Sequence, residues 1–375
     1  MNNVDTDIAL FVPSLRGGGA ERIMVTLARY FSEQGLKVDL LLAQNEGPYL
    51  ADIPSSVRVV DLNASRVLFA LPGLVRYLRK EKPRAMLSAM EHANVVALMA
   101  RQFAGGQTQL VITEHNTLTN STAIDPSLRG RWLPYLMRWV YPFASTIVAV
   151  SAGVADDLAK ALSLPRDRIQ VIYNPIDSAS ILLLASAEFE HPWFSAGSPP
   201  VILGVGRLSM QKDFKTLIQA FALLRKKRKA RLIILGEGDE RETLEKMIAT
   251  LDLTNDIVLP GFVGNPMAYM RHAAVFVLSS LFEGLPTVLL EAMCCDTPVV
   301  STDCPSGPAE ILENGKWGQM VSVGDVDGLV QAMVKTLDEK KHPNVLQRAQ
   351  YFSVENAVAQ YLEVLGFANQ IDRIN

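Results

Sequence analysis

Short runs rich in Val, Ile and Leu recur along the chain at 8–13 (IALFVP), 37–43 (KVDLLLA), 57–62 (VRVVDL), 109–113 (QLVIT), 145–150 (STIVAV) and 169–173. A second series follows at 201–206 (VILGVG), 231–235 (RLIIL), 257–260 (IVLP), 275–280 (VFVLSS) and 298–302 (PVVST). Helical patterns lie between them, among others at 20–33, 215–226, 240–251 and 286–295. Strands that are apolar almost throughout, alternating with helices, predict parallel sheets covered on both faces. The fold class is therefore α/β, with doubly wound sheets.

Segment 186–200 (SAEFEHPWFSAGSPP) separates the two series and has no clear period. It reads as a linker, with one Rossmann-like domain over 1–185 and a second over 201–352. Such sheets bind ligands at the carboxyl ends of their strands, so two of them facing each other would form a cleft. A length of 375 residues suits two domains at ~150 residues each.

Composition narrows the function. Apolar residues make up 49% and charged residues 20%, which excludes a disordered chain. The net charge of −3 gives no global field for nucleic acid. Mean hydropathy is +0.16, yet no run approaches the ~18 apolar residues of a membrane span. Cys294, Cys295 and Cys304 form no metal-spaced pair and read as small buried residues, which argues against a zinc site or a disulfide scaffold. The start, Met1-Asn-Asn-Val-Asp-Thr-Asp, carries acids where a signal peptide needs a basic stretch, and the expected location is cytoplasmic.

Three motifs carry candidate chemistry. Leu15-Arg-Gly-Gly-Gly-Ala-Glu21 follows the first strand and opens a helix. Its glycines either admit an anionic ligand or serve only a tight strand–helix turn. It is not the dinucleotide fingerprint, which weakens the rival reading of an NAD-dependent oxidoreductase. After the first strand of the second half comes Gly206-Arg207-Leu-Ser-Met-Gln-Lys212, whose two cations could converge on one diphosphate. The third motif is the most specific: Ser279-Ser-Leu-Phe-Glu283-Gly284-Leu-Pro286-Thr287-Val288-Leu-Leu-Glu291. With Pro286 as the first helical residue, the Thr287 and Val288 amides are open to phosphate oxygens. Glu291 lies one turn on in an apolar stretch, suited to a ribose diol, with Glu283 beyond the helix start. His115, in Thr113-Glu-His-Asn116, ends a buried strand, and Glu114 is a candidate to orient its ring. Glu21 could cap its own helix, and Asp239 is the expected cap of the helix after Gly236-Glu-Gly238.

In this order the motifs resemble glycosyltransferase family 4, with retaining chemistry and the GT-B fold. Asn174-Pro-Ile-Asp177, Pro305-Ser-Gly-Pro-Ala-Glu-Ile-Leu312 and an ending in which Phe352-Ser353 precedes a helix with Tyr361 add to the likeness. The resemblance implies that Gly18 and Gly19 sit beside the donor diphosphate, while Arg207 and Lys212 hold it as it leaves. It implies Glu291 on the ribose, the backbone at Phe262–Val263 on the base, and Glu283 on the donor sugar. The amides from Gly284 onward would meet the phosphates, His115 would lie near the transferred sugar, and 353–375 would cross back to the first domain. The resemblance implies no metal and no cofactor; the expected donor is a UDP-sugar carrying a hexose or N-acetylhexosamine, and the expected acceptor a polyprenyl-linked glycan. A sugar-nucleotide epimerase, a transferase with a soluble acceptor and a non-catalytic sugar-nucleotide sensor are the alternatives.

Charge is unevenly placed. Residues 1–178 hold 18 Lys and Arg against 16 acids, and the remainder 18 against 23. Segment 66–84 carries six cations and one acid among Leu68, Phe69, Leu71, Leu74 and Leu78. Segment 127–143 sets Arg129, Arg131 and Arg138 among Trp132, Tyr135, Trp139 and Tyr141, with no acid. These stretches read either as packed helices with a solvated side or as a docking surface for the anionic inner face of a membrane.

Overall fold

The computed structural model describes residues 6–124 and 128–369, without the side chains of 123–131. The chain divides into two compact units: Met1–Pro175 with Val354–Asn375, and Ile176–Ser353. In the first unit the strands are β1 (Ile8–Val12), β2 (Val38–Leu42), β3 (Arg58–Asp61), β4 (Ala85–Ala89), β5 (Gln109–Glu114), β6 (Thr146–Ala149) and β7 (Ile169–Val171). They form one parallel sheet in the order β3-β2-β1-β4-β5-β6-β7. The second unit holds β8 (Val201–Val205), β9 (Arg231–Leu235), β10 (Ile257–Gly261), β11 (Val275–Leu278), β12 (Val299–Thr302) and β13 (Gln319–Val321). These form a parallel sheet in the order β10-β9-β8-β11-β12-β13.

Both sheets are doubly wound. Strand order reverses between β1 and β4 in the first unit and between β8 and β11 in the second. At such switch points neighbouring loops diverge and leave a crevice at the carboxyl ends. Helices cover both faces, and β1, β2 and β4 are buried throughout. Two strands lack a pattern of their own. β4 reads AMLSA, without a β-branched or aromatic residue, and β13 is only QMV. Their place in the sheet outweighs weak propensity.

The boundary between the units falls at Pro175, ahead of 186–200. That segment belongs to the second unit, where the Phe189 ring packs edge-on against Tyr269 with centroids 4.7 Å apart. Its aromatic residues give it a surface to bury, which its Ser and Pro content obscures. The helix Val354–Val364 groups with the first unit, burying Tyr361 and Leu362 in the core that contains Leu10 and Val111.

A buried carboxylate ties one corner of the first sheet. Asp39 on β2 accepts from Thr6 Oγ1 at 2.8 Å and Arg58 Nε at 2.8 Å, and also from the Tyr77 hydroxyl. Burial alone would push its carboxyl up, but these hydrogen bonds outweigh it and hold Asp39 below its ordinary 3.8. A depressed folded value stabilises above the unfolded one, and that contribution disappears as pH falls through the folded value. Asp39→Asn is expected to lower stability by about 2–4 kcal/mol at pH 7, since a buried charged acceptor is lost to Arg58 and Tyr77. Urea midpoints measured from pH 7 to pH 3 check this: the gap to wild type should be full at pH 7 and shrink toward pH 3.

Candidate active site

Four loops crowd the carboxyl edge of the second sheet, and glycine lets them do so. Gly236, after β9, has φ +137°, and a Cβ there would stand 2.0 Å from the Gly206 carbonyl oxygen. Around it the Leu208 amide donates to the Glu237 carbonyl at 2.8 Å. The loops after β8 and β11, on either side of the switch point, are joined by three further bonds. Leu281 N donates to Gln211 O at 2.8 Å, Gln211 Nε2 to Phe282 O at 3.0 Å, and Ser279 Oγ to Lys212 O at 2.8 Å. The loop after β12 closes the frame, with Glu283 N donating to Pro305 O at 2.7 Å and Ser306 Oγ to Gly284 O at 3.0 Å.

Inside this frame Lys212 and Glu283 meet. Lys212 Nζ lies 2.6 Å from Glu283 Oε1, with side chains 16% and 8% exposed. The lysine stem crosses Gly206 so closely that a Cβ there would be 3.2 Å from Lys212 Cε. Ser280 Oγ donates to the same Oε1 at 2.7 Å, and Ser280 is itself buried. The sequence reading missed Ser280 and Gln211; its only signal was two serines at the end of an otherwise apolar strand. Arg207 leaves the same loop exposed, and its guanidinium has no hydrogen bond or ion pair among the described residues. Cys304 lies near the pair, where burial and the Glu283 charge push its thiol up to about 12, so it is inert.

The helix that follows runs Thr287–Cys294, one residue later than expected. Pro286, at ψ 100°, is extended and serves as the cap. Thr287 and Val288 are thus the first two helical residues, whose amides have no carbonyl one turn back. Glu291 is buried in the second turn, 4% exposed. Gly284 is buried, and Val263 is half-buried beside Phe262, which projects 70% exposed from the end of β10. Arg207, Lys212, Val263, Glu283, Gly284, Thr287, Val288 and Glu291 all occupy the carboxyl edge of one sheet. The helix after Gly238 begins at Arg241 with Glu240 as its cap, not Asp239.

In the first unit the glycine loop is held from behind. Glu21, buried at 7%, accepts from Gly17 N and Gly18 N at 2.8 Å each. The Gly18 amide is therefore occupied, while Gly19 faces open space. His115 follows β5, with its Nδ1 buried and unpartnered among the described residues and Nε2 3.5 Å from Thr113 Oγ1. Burial pushes this imidazole down to about 4, so it is neutral at pH 7. Glu114 does not orient the ring. Its carboxylate accepts from Asn94 Nδ2 at 2.9 Å and from the Tyr141 hydroxyl, on the other side of the strand. Burial, helped by Glu91, pushes the Glu114 carboxyl well up despite those two bonds.

The helix Leu128–Val140 presents Trp132, Tyr135, Leu136 and Trp139, spaced for one face, at 68%, 65%, 41% and 78% exposure. Arg138 is exposed beside them, whereas Arg129 and Arg131 lie outside the described side chains. In segment 66–84 the expected apolar face divides: Leu74 and Leu78 enter the core, while Leu68 and Phe69 are 60% and 61% exposed. No helix among the described residues is long and apolar enough to cross a membrane.

Comparison with known proteins bears on the family and the fold. Residues 186–351 match the family Glycosyl transferases group 1, and residues 17–180 match Glycosyltransferase Family 4. The N-acetylgalactosamine-N,N'-diacetylbacillosaminyl-diphospho-undecaprenol 4-alpha-N-acetylgalactosaminyltransferase of Campylobacter jejuni is 31% identical over 345 residues, covering 89% of this chain and 91% of that protein. The lipopolysaccharide core biosynthesis glycosyltransferase LpsE of Rhizobium meliloti is 27% identical, covering 93% of this chain and 96% of its own. Among solved structures, Anabaena HepE in complex with UDP-glucose superposes with a TM-score of 0.76 at 22% identity, covering 98% of each chain. Similarity running over nearly the whole of both chains shows that this protein belongs to glycosyltransferase family 4, as a retaining glycosyltransferase with the GT-B fold.

Proposed function

We propose that the protein transfers a hexose or N-acetylhexosamine from a UDP-sugar to a polyprenyl-linked glycan during assembly of a cell-surface polysaccharide or glycoconjugate. The observation that carries the donor half is Lys212 Nζ 2.6 Å from Glu283 Oε1 at the switch point, with Arg207 on the same loop making no hydrogen bond or ion pair among the described residues. Breaking the sugar–phosphate bond builds negative charge on the diphosphate and positive charge on the sugar. Arg207, Lys212 and the Thr287 and Val288 amides answer the first, each charge-assisted bond being worth roughly 1.5–3 kcal/mol. Glu291 takes the ribose hydroxyls, the backbone at Val263 the base, and Gly284 a phosphate oxygen. Glu283 addresses the sugar; in the first unit Gly18 and Gly19 serve the acceptor, and His115 offers a neutral hydrogen-bonding group. Attack comes from the face the diphosphate leaves, with the leaving phosphate taking the acceptor proton. Glu283 suits hydrogen bonding to the sugar better than the part of covalent nucleophile, because Ser280 already donates to its Oε1.

A lipid-linked acceptor is favoured by the first unit's surface and by the undecaprenol named in the Campylobacter relative. Trp and Tyr rings settle at the headgroup level, and each Arg adds roughly 1 kcal/mol near anionic lipid. The protein then works peripherally, on the cytoplasmic face of the membrane.

Arg207→Ala is expected to lower turnover at least ~100-fold, from about 2.7 kcal/mol of lost leaving-group stabilisation. Glu291→Ala should chiefly weaken UDP itself. Single-turnover kinetics and calorimetry with UDP, GDP and ADP check both; near-normal turnover in Arg207→Ala removes it from the mechanism. Sedimentation with liposomes of rising anionic content tests the surface. Binding should fall with salt and in the triple variant Arg129→Glu, Arg138→Glu, Trp139→Ala, and recovery in the supernatant at every composition refutes docking.

A further inference from the structure

Two anions have a claim on Lys212. In the structure its Nζ is bound to Glu283 Oε1 at 2.6 Å, and both side chains are largely withdrawn from water. In the reading proposed above, the same ammonium must bind a diphosphate. An ammonium has three N–H donors, but a carboxylate and a diphosphate gathered around one of them repel each other, so each weakens the other's hold.

We propose that nucleotide diphosphate and Glu283 compete for Lys212, so that binding of the diphosphate breaks the ion pair and releases Glu283 to accept from the donor sugar. This rests on the proposed function and adds an order of events to it. Three features make the exchange feasible. Ser280 Oγ, 2.7 Å from Glu283 Oε1, keeps one hydrogen bond on the carboxylate when the lysine leaves. The backbone around the pair is fixed by the Gln211, Ser279 and Ser306 bonds, so a side chain can swing without the loops moving. And Gly206 offers no Cβ to the lysine stem, which lies 3.2 Å from where one would stand. Until the diphosphate arrives, Glu283 has a cation in place of a sugar hydroxyl, so a free sugar has no site there. The pair therefore imposes a cost on UDP and returns it as sugar recognition.

Calorimetric titration with UDP alone tests this in a double-mutant cycle. Glu283→Gln is expected to bind UDP about three- to tenfold tighter than wild type, the effect of removing one partly buried ion pair. Lys212→Ala should bind UDP more weakly. In the double variant the gain from Glu283→Gln should vanish, because it acts through the lysine. If Glu283→Gln binds UDP no tighter while Lys212→Ala binds it more weakly, the competition is refuted and the donor site stands. A gain that persists without Lys212 also refutes it, leaving plain repulsion between Glu283 and the diphosphate. Unchanged UDP affinity in Lys212→Ala overturns the lysine's place in the donor site itself. A structure of the wild type with UDP bears on the same point without any variant: a Lys212–Glu283 separation beyond 4 Å supports the exchange, and a retained contact refutes it.

Discussion

The ion pair between Lys212 and Glu283 is the interaction around which the second unit's carboxyl edge is organised. Two charges withdrawn from water are costly, and their attraction offsets that cost only when geometry is good and the remaining lone pairs are satisfied. The surrounding loops supply those conditions. Ser280 satisfies the carboxylate, Gln211 and Ser279 lock the lysine's loop to the glutamate's, and Ser306 fixes the backbone beyond Gly284. Gly236 lets its own loop press against the Gly206 carbonyl, where any side chain would collide.

The two units solve the same loop problem in opposite ways. Each places a glycine-containing loop after its first strand, next to a switch point. In the first unit an anion braces the loop from inside: Glu21 takes the Gly17 and Gly18 amides. In the second a cation lies across the loop, facing the crevice. His115 in the same unit as Glu21 is neutral at pH 7, with its Nδ1 unpartnered among the described residues.

Much of this was legible in the sequence, where a strand supplied its own pattern. VILGV, RLIIL and VFVL are unmistakable because β-branched and leucine residues fill a strand buried on both faces. AMLSA at β4 was not, although it is buried throughout, because small and unbranched residues suit any buried element. The segment 186–200 misled through its Ser and Pro, while Phe189 carried the information that it packs. Glu21 and Glu114 show the limit for site residues. Both adjoin a motif, yet one braces the glycine loop and the other turns away to Tyr141 and Asn94, and only strand alternation and folded neighbours decide which. Ser280 was invisible for the same reason: its role is defined by a glutamate that a loop brings back to it.

Charge pairing explains more than charge totals. The halves differ by only a few units, +2 from 18 cations against 16 acids and −5 from 18 against 23. In the second unit, though, most cations are spent on acids. Arg241 spans Glu237 and Glu245, Lys246 meets Glu242, Arg225 and Arg231 share Asp256, and Lys316 and Arg348 share Glu313. Their fields cancel within a few ångströms. In the first unit Arg79 donates to the Phe103 carbonyl and Arg101 to the Phe143 carbonyl, and Arg84 lies over the Phe367 ring. None of these three, nor Arg76 or Arg138, has a carboxylate partner among the described residues. A carbonyl or a ring positions a guanidinium without neutralising it, so the field survives into solvent. Phe103 and Phe143, the residues whose carbonyls hold two of these cations, are themselves 57% and 55% exposed. Uncancelled positive charge anchored beside exposed aromatic rings is what an anionic, partly apolar surface would recognise, and it arises here from where the acids are missing.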